Sequence, residues 1–151
     1  MSKREKSAGT KSNNTYQPQF PLDDEHIMES IAAAVIVTDA EGNVHGFNKA
    51  AEEMFGIPKQ KAMGTKYYLK MAPKEEERMQ LRFNHVLKTG KPFYGQDESF
   101  SMRDGRQVTL NLHISVLRDK EGNHIGIIML VEDVTKKRLS ERVMQRKEKL
   151  T

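Results

Sequence analysis

Residues 107–133 read QVTLNLHISVLRDKEGNHIGIIMLVED, and this stretch decides the fold. Residues 107–117 alternate between apolar and polar side chains, the pattern of a strand with one buried face. Residues 124–133 are apolar at nearly every position, as in a central strand covered on both faces. The turn between them, Asp119–Asn123, has glycine where a tight turn needs a positive φ. The stretch therefore predicts an antiparallel hairpin whose second strand lies inside a sheet.

The same turn sequence, Asp-x-Glu-Gly-Asn, occurs a second time at Asp39–Asn43. It separates two short runs rich in β-branched and aromatic residues, Val35–Thr38 and Val44–Phe47, which predicts an N-terminal hairpin. A third turn, Arg103–Gly105, comes just before the alternating strand, and Phe93–Phe100 precedes that turn. The C-terminal half is therefore predicted to be a three-stranded antiparallel meander.

Helical signals fill the segment between hairpin and meander. Asn48 is a predicted N-cap and Gly56 a stop signal, while Pro73 opens a longer helix that ends before Gly90. That longer helix carries one apolar stripe, formed by Met79, Phe83 and Val86. Three adjacent glutamates, residues 75–77, occupy its first turn, where they favour the helix dipole and predict no acid/base chemistry. The predicted order is β-β-α-α-α-β-β-β.

The two ends of the chain differ from this body. Residues 1–22 contain few aliphatic side chains and predict a flexible leader, and residues 23–33 predict an N-terminal flanking helix. The core is predicted to span residues 34–135. Residues 136–151 carry seven basic and two acidic side chains and predict a signalling helix or coiled-coil linker.

Composition excludes several classes of function. The 151 residues predict one domain, and the absence of cysteine excludes disulfides, thiolate zinc sites and cofactors attached through sulfur. No apolar run is long enough for a membrane span, so we expect a soluble cytoplasmic protein that does not bind membranes. Residues 26–135 carry 14 basic and 15 acidic side chains, which argues against a nucleic-acid-binding face on the body.

The ordered motifs resemble those of PAS domains. The matching positions are Ile36-Val37-Thr38-Asp39, Gly42, Phe47 to Glu52, Phe55-Gly56, Lys88 to Pro92, Arg103-Asp104-Gly105, Gly126 and Asp133-Val134-Thr135. The resemblance implies an α+β fold, with a five-stranded antiparallel sheet of order 2-1-5-4-3 and helices on one face. The N-terminal flanking helix and the C-terminal signalling helix would be added to that core.

PAS domains often hold a small molecule between helices and sheet. By that resemblance the pocket candidates are Tyr67, Tyr68, Met79, Phe83, Asn111, His113 and Met129. The alternative is that the apolar members of this set are ordinary core residues. The ligand itself is left unknown.

No cofactor or metal is predicted, although a haem- or flavin-bearing redox or gas sensor stays as an alternative. The flavin-adduct branch of the family needs a cysteine, and the flavin redox branch usually shows tryptophan; the chain contains neither. Haem sensors place a histidine where Met79 stands, and His85 on the same helix is expected to face solvent. The five histidines show no metal-ligand spacing.

The signal is expected to leave through the basic helix. The residues assigned to transmission are Asp133, Val134, Thr135, Leu139, Val143 and Leu150. Thr135 is predicted to cap the helix, and the last three fit a short heptad seam that polar residues interrupt; a solvated basic tail is the alternative. The helix looks like the lead-in to a sensor histidine kinase, so we expect a homodimer with a kinase core downstream in the same polypeptide. A diguanylate cyclase or a transcription activator is the alternative effector, and no catalytic residue is predicted in this chain.

Overall fold

The described residues form five helices and five strands. The computed structural model describes residues 24–67 and 71–150, with side chains as far as Lys149. In chain order the elements are α1 (Asp24–Ser30), β1 (Ala34–Asp39), β2 (Val44–Phe47), α2 (Lys49–Phe55), α3 (Lys59–Ala62), α4 (Pro73–Thr89), β3 (Phe93–Ser101), β4 (Gln107–Arg118), β5 (His124–Asp133) and α5 (Thr135–Leu150). The predicted leader, residues 1–22, lies outside the described residues.

The strands form one antiparallel sheet of order β2-β1-β5-β4-β3, which confirms the predicted order. Strand β5 lies at its centre, between β1 and β4. Both Asp-x-Glu-Gly-Asn turns fold alike, because the aspartate Oδ1 accepts hydrogen bonds from the second and fourth following amides. Gly42 and Gly122 both have a φ of 89°, which explains why glycine stands at this position of each turn.

One face of the sheet carries the core. Leu110, Leu112 and Ile114 of β4 are buried there, as the alternation predicts. The stripe of α4 packs over this face, with Met79, Phe83 and Val86 all buried. Helices α2 and α3 cover the β1–β2 end of the same face.

The outer face of the sheet is only partly covered. Met28 of α1 reaches over β1 and β2: a Cβ added at Gly46 would lie 3.0 Å from Val37 Cβ and 3.3 Å from Met28 Cε. Ile27, however, is 49% exposed, and α1 buries none of its residues. The helix ends at Ser30 instead of residue 33, because the carbonyl groups that follow turn towards Asn48.

Candidate functional site

An apolar cavity of about 260 Å³ lies between the β1–β2 hairpin and the α2–α3 segment. It is lined by Ile36, Val44, Phe47, Phe55, Ile57, Ala62, Thr65, Lys66 and Tyr67. Most of this lining is aliphatic or aromatic, with polar groups only from Thr65 and Lys66 besides the tyrosine. The Nζ of Lys66 donates to the Glu41 carbonyl at 2.6 Å, so this ammonium group is turned to the surface turn. The arrangement suits a small apolar ligand.

Four predicted pocket residues lie on the helix-facing side of the sheet. Tyr67 lines the cavity, and its ring stacks on Phe83 with centroids 5.1 Å apart and planes inclined by 13°. Met79, Phe83 and Met129 are buried core residues and do not line the cavity. Tyr68 lies outside the described residues. Of the predicted set, only Tyr67 is among the lining residues; the β1–β2 wall was not predicted, because its residues carry no signal beyond ordinary apolar strand positions.

Asn111 and His113 do not belong to this cavity, and the prediction that placed them in it is wrong. They alternate along β4 with the core residues Leu110, Leu112 and Ile114, so their side chains lie on the outer face. There His113 stacks on Tyr94, with ring centroids 4.5 Å apart. Together with Ala33, Leu112, Leu130 and Glu132 they line a shallow cleft of about 180 Å³.

Met79 and His85 are the residues on which the haem alternative depends. Met79, at the position where haem sensors place a histidine, is buried in the core. His85 is exposed, as predicted, and the nine lining residues include no histidine. Over residues 24–67 and 71–150, no group of three His, Cys, Asp or Glu side chains is arranged to hold a metal ion. Nor does any helix in this part of the chain combine the length and apolar character needed to cross a membrane.

The junction at Asp133-Val134-Thr135 joins the exit helix α5 to strand β4. The Val134 amide donates to the Thr109 carbonyl at 2.9 Å, and the Thr109 amide donates to Thr135 Oγ1 at 2.8 Å. The Thr135 hydroxyl in turn donates to Asp133 Oδ1. Two backbone groups of one β4 residue therefore hold the start of α5.

Thr135 does not cap α5, which corrects the prediction for this residue. The helix begins at Thr135 itself, and its amide donates to Asp133 Oδ1 at 3.0 Å. Asp133 thus serves the helix start in the way predicted for Thr135. The threonine hydroxyl is used instead to accept from β4, a tertiary contact that local sequence does not reveal.

The first turns of α5 make one further contact with the sheet. Arg138 Nε donates to Asp97 Oδ1 at 2.5 Å, and Arg138 Nη1 lies 3.4 Å from Glu141 Oε1. The hydrogen bond to Asp97 raises the pKa of Arg138. Beyond this point the helix is exposed: Leu139 is 57% and Val143 44% exposed. Leu150 ends the helix, and its side chain lies outside the described part of the structure.

Two buried polar side chains hold distant elements together in ways that the sequence did not predict. Glu75, one of the three glutamates assigned to the helix dipole, is buried and accepts from the Ser101 amide at 2.7 Å. The bond to Ser101 holds α4 to β3, and the same carboxylate pairs with Arg78 of its own helix at 2.7 Å. Asn48 caps α2 as predicted, but its amide group also holds the end of α1. Both roles depend on partners far away in sequence.

Sequence comparison agrees with this geometry. The profile of the family described as "PAS fold" matches residues 22–134, most of the chain. The chain belongs to the PAS family. The predicted fold class is confirmed by this match and by the sheet order.

The PAS domain is similar to parts of two sensor kinases. It is 27% identical over 124 residues to the signal transduction histidine-protein kinase AtoS of Escherichia coli, covering 82% of this chain and 20% of AtoS. It is 20% identical over 118 residues to the sensor histidine kinase TmoS of Ectopseudomonas mendocina, covering 78% of this chain and 12% of TmoS. The chain therefore spans a fifth or less of the length of these relatives.

Solved structures show the same fold. A PAS domain from Colwellia psychrerythraea is 19% identical, with a TM-score of 0.65, and the match covers 74% of this chain and 93% of that chain. VqmA of Vibrio cholerae, solved in complex with a ligand and DNA, is 20% identical with a TM-score of 0.66. That match covers 78% of this chain and 54% of VqmA.

Proposed function

We propose that this PAS domain is a regulatory sensor that binds a small apolar ligand and passes its state through α5 to a histidine kinase core. The observation that carries the proposal is the junction between β4 and α5. There the Thr109 amide donates to Thr135 Oγ1, and the Thr109 carbonyl accepts from the Val134 amide. Because these bonds fix the first turn of α5 to β4, a change in the packing of the sheet must tilt or shift the helix. The kinase names of AtoS and TmoS support the output side of the proposal.

The cavity supports the input side. Its lining is mainly apolar, and it touches α4 through the stacked pair Tyr67 and Phe83. A ligand that fills it would change how α4 packs on the sheet. We propose that this occurs without haem or flavin, so freshly purified protein should show no visible absorbance band. A Soret or flavin band would reject this part and favour a redox or gas sensor.

The domain is proposed to act as a homodimer. The outer face of the sheet leaves Ile128 and Leu130 half-buried, and α5 exposes Leu139 and Val143 on one side. A second protomer would cover both surfaces and explain why β5 is apolar on its two faces. Light scattering should give twice the monomer mass at high concentration, and a monomer with an intact α5 would contradict the proposal.

Autophosphorylation of the polypeptide that carries this domain tests the kinase assignment. Thr135→Val removes the acceptor of the Thr109 amide, and we expect it to change autophosphorylation by about fivefold, the effect of one partly buried hydrogen bond. Ser140→Ala, which removes an exposed hydroxyl from the same helix, is the matched control and should leave the rate unchanged. A polypeptide that forms no phosphohistidine rejects the kinase output.

A second output is favoured by one observation. VqmA shares the fold and has been solved in a complex with a ligand and DNA. A PAS input to a transcription regulator would use the same junction and helix. It predicts sequence-specific DNA binding by the polypeptide that carries this domain and no phosphohistidine, the reverse of the kinase result.

A further inference from the structure

Strand β3 contains a bulge at residues 96–97. Gly95 pairs with Leu112, but Glu98 pairs with Leu110, so β3 has one residue more than β4 across this interval. Asp97 has a φ of 55°, in the left-handed region that few residues other than glycine adopt. Bulges of this kind redirect side chains.

The bulge changes which residues face the core. Phe93 and Phe100 are seven positions apart and would lie on opposite faces of a regular strand. With one extra residue between them, both face α4, where Phe100 is fully buried and Phe93 packs against the core. Arg82 lies over Phe93 and Arg78 over Phe100, with Cζ atoms 4.2 and 4.1 Å from the ring centroids.

On the core side of the bulge, Glu98 holds α4. Its two oxygens accept from Arg82 Nη1 and Nη2 at 2.5 and 3.0 Å, and both side chains are largely buried. A Cβ at position 95 would lie 2.8 Å from Glu98 Cδ, so Gly95 leaves the space in which this carboxylate lies. The bidentate geometry is the strongest form of arginine–carboxylate pair.

On the opposite side of the strand, Asp97 holds α5. Its Oδ1 accepts from Arg138 Nε, and its own amide, which the bulge removes from the ladder, donates to Asn111 Oδ1 at 2.8 Å. Asn111, wrongly predicted as a pocket residue, therefore supports the bulge. Consecutive residues of β3 bind two different helices from the two faces of the sheet.

A series of contacts connects the cavity to the bulge in β3. Tyr67 lines the cavity and stacks on Phe83 of α4. Phe83 directly follows Arg82, and both lie within the same uninterrupted helix. A displacement of α4 at Phe83 moves Arg82 with it, because both lie on the same helical turn. Arg82 is bound to Glu98, the neighbour of Asp97.

We propose that the β3 bulge is a mechanical link between α4 and α5, with Glu98 and Asp97 as its positioning residues. The link gives the cavity a second route to the exit helix, separate from the Asp133–Thr135 junction. Taking α5 as the output rests on the proposed function, whereas the link itself is a property of the isolated domain.

Amide hydrogen exchange of α5 in the full chain, without ligand, tests the link. Asp97→Asn removes the carboxylate that binds Arg138 and should speed exchange at residues 138–142 by about threefold. Glu98→Gln touches only α4 and should speed exchange at the same amides by a similar factor. Glu75→Gln is the matched control, because it breaks the Glu75–Arg78 ion pair inside α4 and weakens the other glutamate contact between α4 and β3, the bond from the Ser101 amide, and should leave α5 unchanged.

Three results would overturn the proposal. Exchange in α5 could be unchanged in Glu98→Gln, or raised equally by Glu75→Gln, or raised only together with all of β4, which would mean a general loosening of the sheet. The double variant Asp97→Asn/Glu98→Gln should exchange no faster than Asp97→Asn alone, because both act through one link. Since the measurement needs neither ligand nor kinase, failure of the proposed function leaves its result interpretable.

Discussion

At the scale of single residues, the Asn48 side chain makes five hydrogen bonds. It is 0% exposed, and its Oδ1 accepts from the amides of Val35 and Ala51 at 2.9 and 3.0 Å. Its Nδ2 donates to three carbonyl groups, those of Met28, Ile31 and Ala33. One side chain therefore joins α1, β1 and α2. Because α1 buries no side chain, much of its attachment depends on this amide.

Asn48→Ala should lower the free energy of unfolding by about 3 kcal/mol, since it leaves several buried polar groups without partners. Urea denaturation measures this loss. Asn84→Ala, at an exposed position of α4, is the control and should cost less than about 0.5 kcal/mol. Asn48→Asp keeps the acceptor but loses the donors, so it should release α1 and raise amide exchange there. Equal stability of Asn48→Ala and wild type would contradict this role.

Asp39 gives the fold a dependence on pH. Burial raises the pKa of Asp39, but hydrogen bonds from His45, Asn43 and Glu41 outweigh it and bring the pKa to about 2 from an ordinary value of 3.8. A carboxylate whose pKa is lowered by folding stabilises the fold at pH values above its pKa in the unfolded chain. That contribution is lost as the pH falls from about 5 towards 2.

Asp39→Asn should therefore reduce the loss of stability between about pH 5 and pH 2, and cost about 1 kcal/mol at neutral pH after allowance for solvent screening. Urea unfolding at a series of pH values measures both effects. Asp119→Asn changes the equivalent turn, where hydrogen bonds from Asn123 also lower the aspartate pKa but the aspartate has no histidine neighbour. Its effect on the pH profile should be smaller. Parallel profiles for wild type and Asp39→Asn would contradict the assignment.

At the scale of elements, α5 has exposed apolar residues on two different sides. Leu139 and Val143 are one helical turn apart and share a side, whereas Met144 is rotated by about 100° from Val143. If the Leu139–Val143 side is the seam of a dimer, Val143→Glu should weaken dimerisation by about tenfold or more, because it places a charge in the seam. Met144→Glu is the matched control and should leave the dimer intact. Sedimentation equilibrium distinguishes the two, and equal weakening by both variants would reject this seam.

At the scale of the whole molecule, the cavity connects the two halves of the fold, because its walls come from the hairpin and the α2–α3 segment while its lining residue Tyr67 stacks on Phe83 of α4. Benzene is a suitable probe of an apolar cavity of this size. It should raise the melting temperature by about 3 °C at saturation, because it binds only the folded state. Ala62→Leu fills the cavity and should abolish the response, whereas Ala32→Leu, at an exposed position, should keep it. A response that survives in Ala62→Leu would place benzene elsewhere.

The sequence by itself determined the elements and their order. The alternation along β4, the cap at Asn48, the stripe of α4 and the two Asp-x-Glu-Gly-Asn turns all act through neighbours within a few residues. Such signals are readable because strand pleating, helical periodicity and turn chemistry are local. The order of the motifs then identified the resemblance to PAS domains, and that resemblance predicted the order of strands in the sheet.

The tertiary structure alone decided the cavity wall, the burial of Glu75, the role of Thr135 and the bulge in β3. Each depends on contacts between distant positions: Glu98 meets Arg82 16 residues away, Ser101 meets Glu75 26 away and Asp97 meets Arg138 41 away. A one-residue bulge reverses the face of every residue after it, so strand alternation cannot locate it in advance. The physical reason is that the side-chain pairs at the bulge join β3 to α4 and α5, which lie far away in sequence.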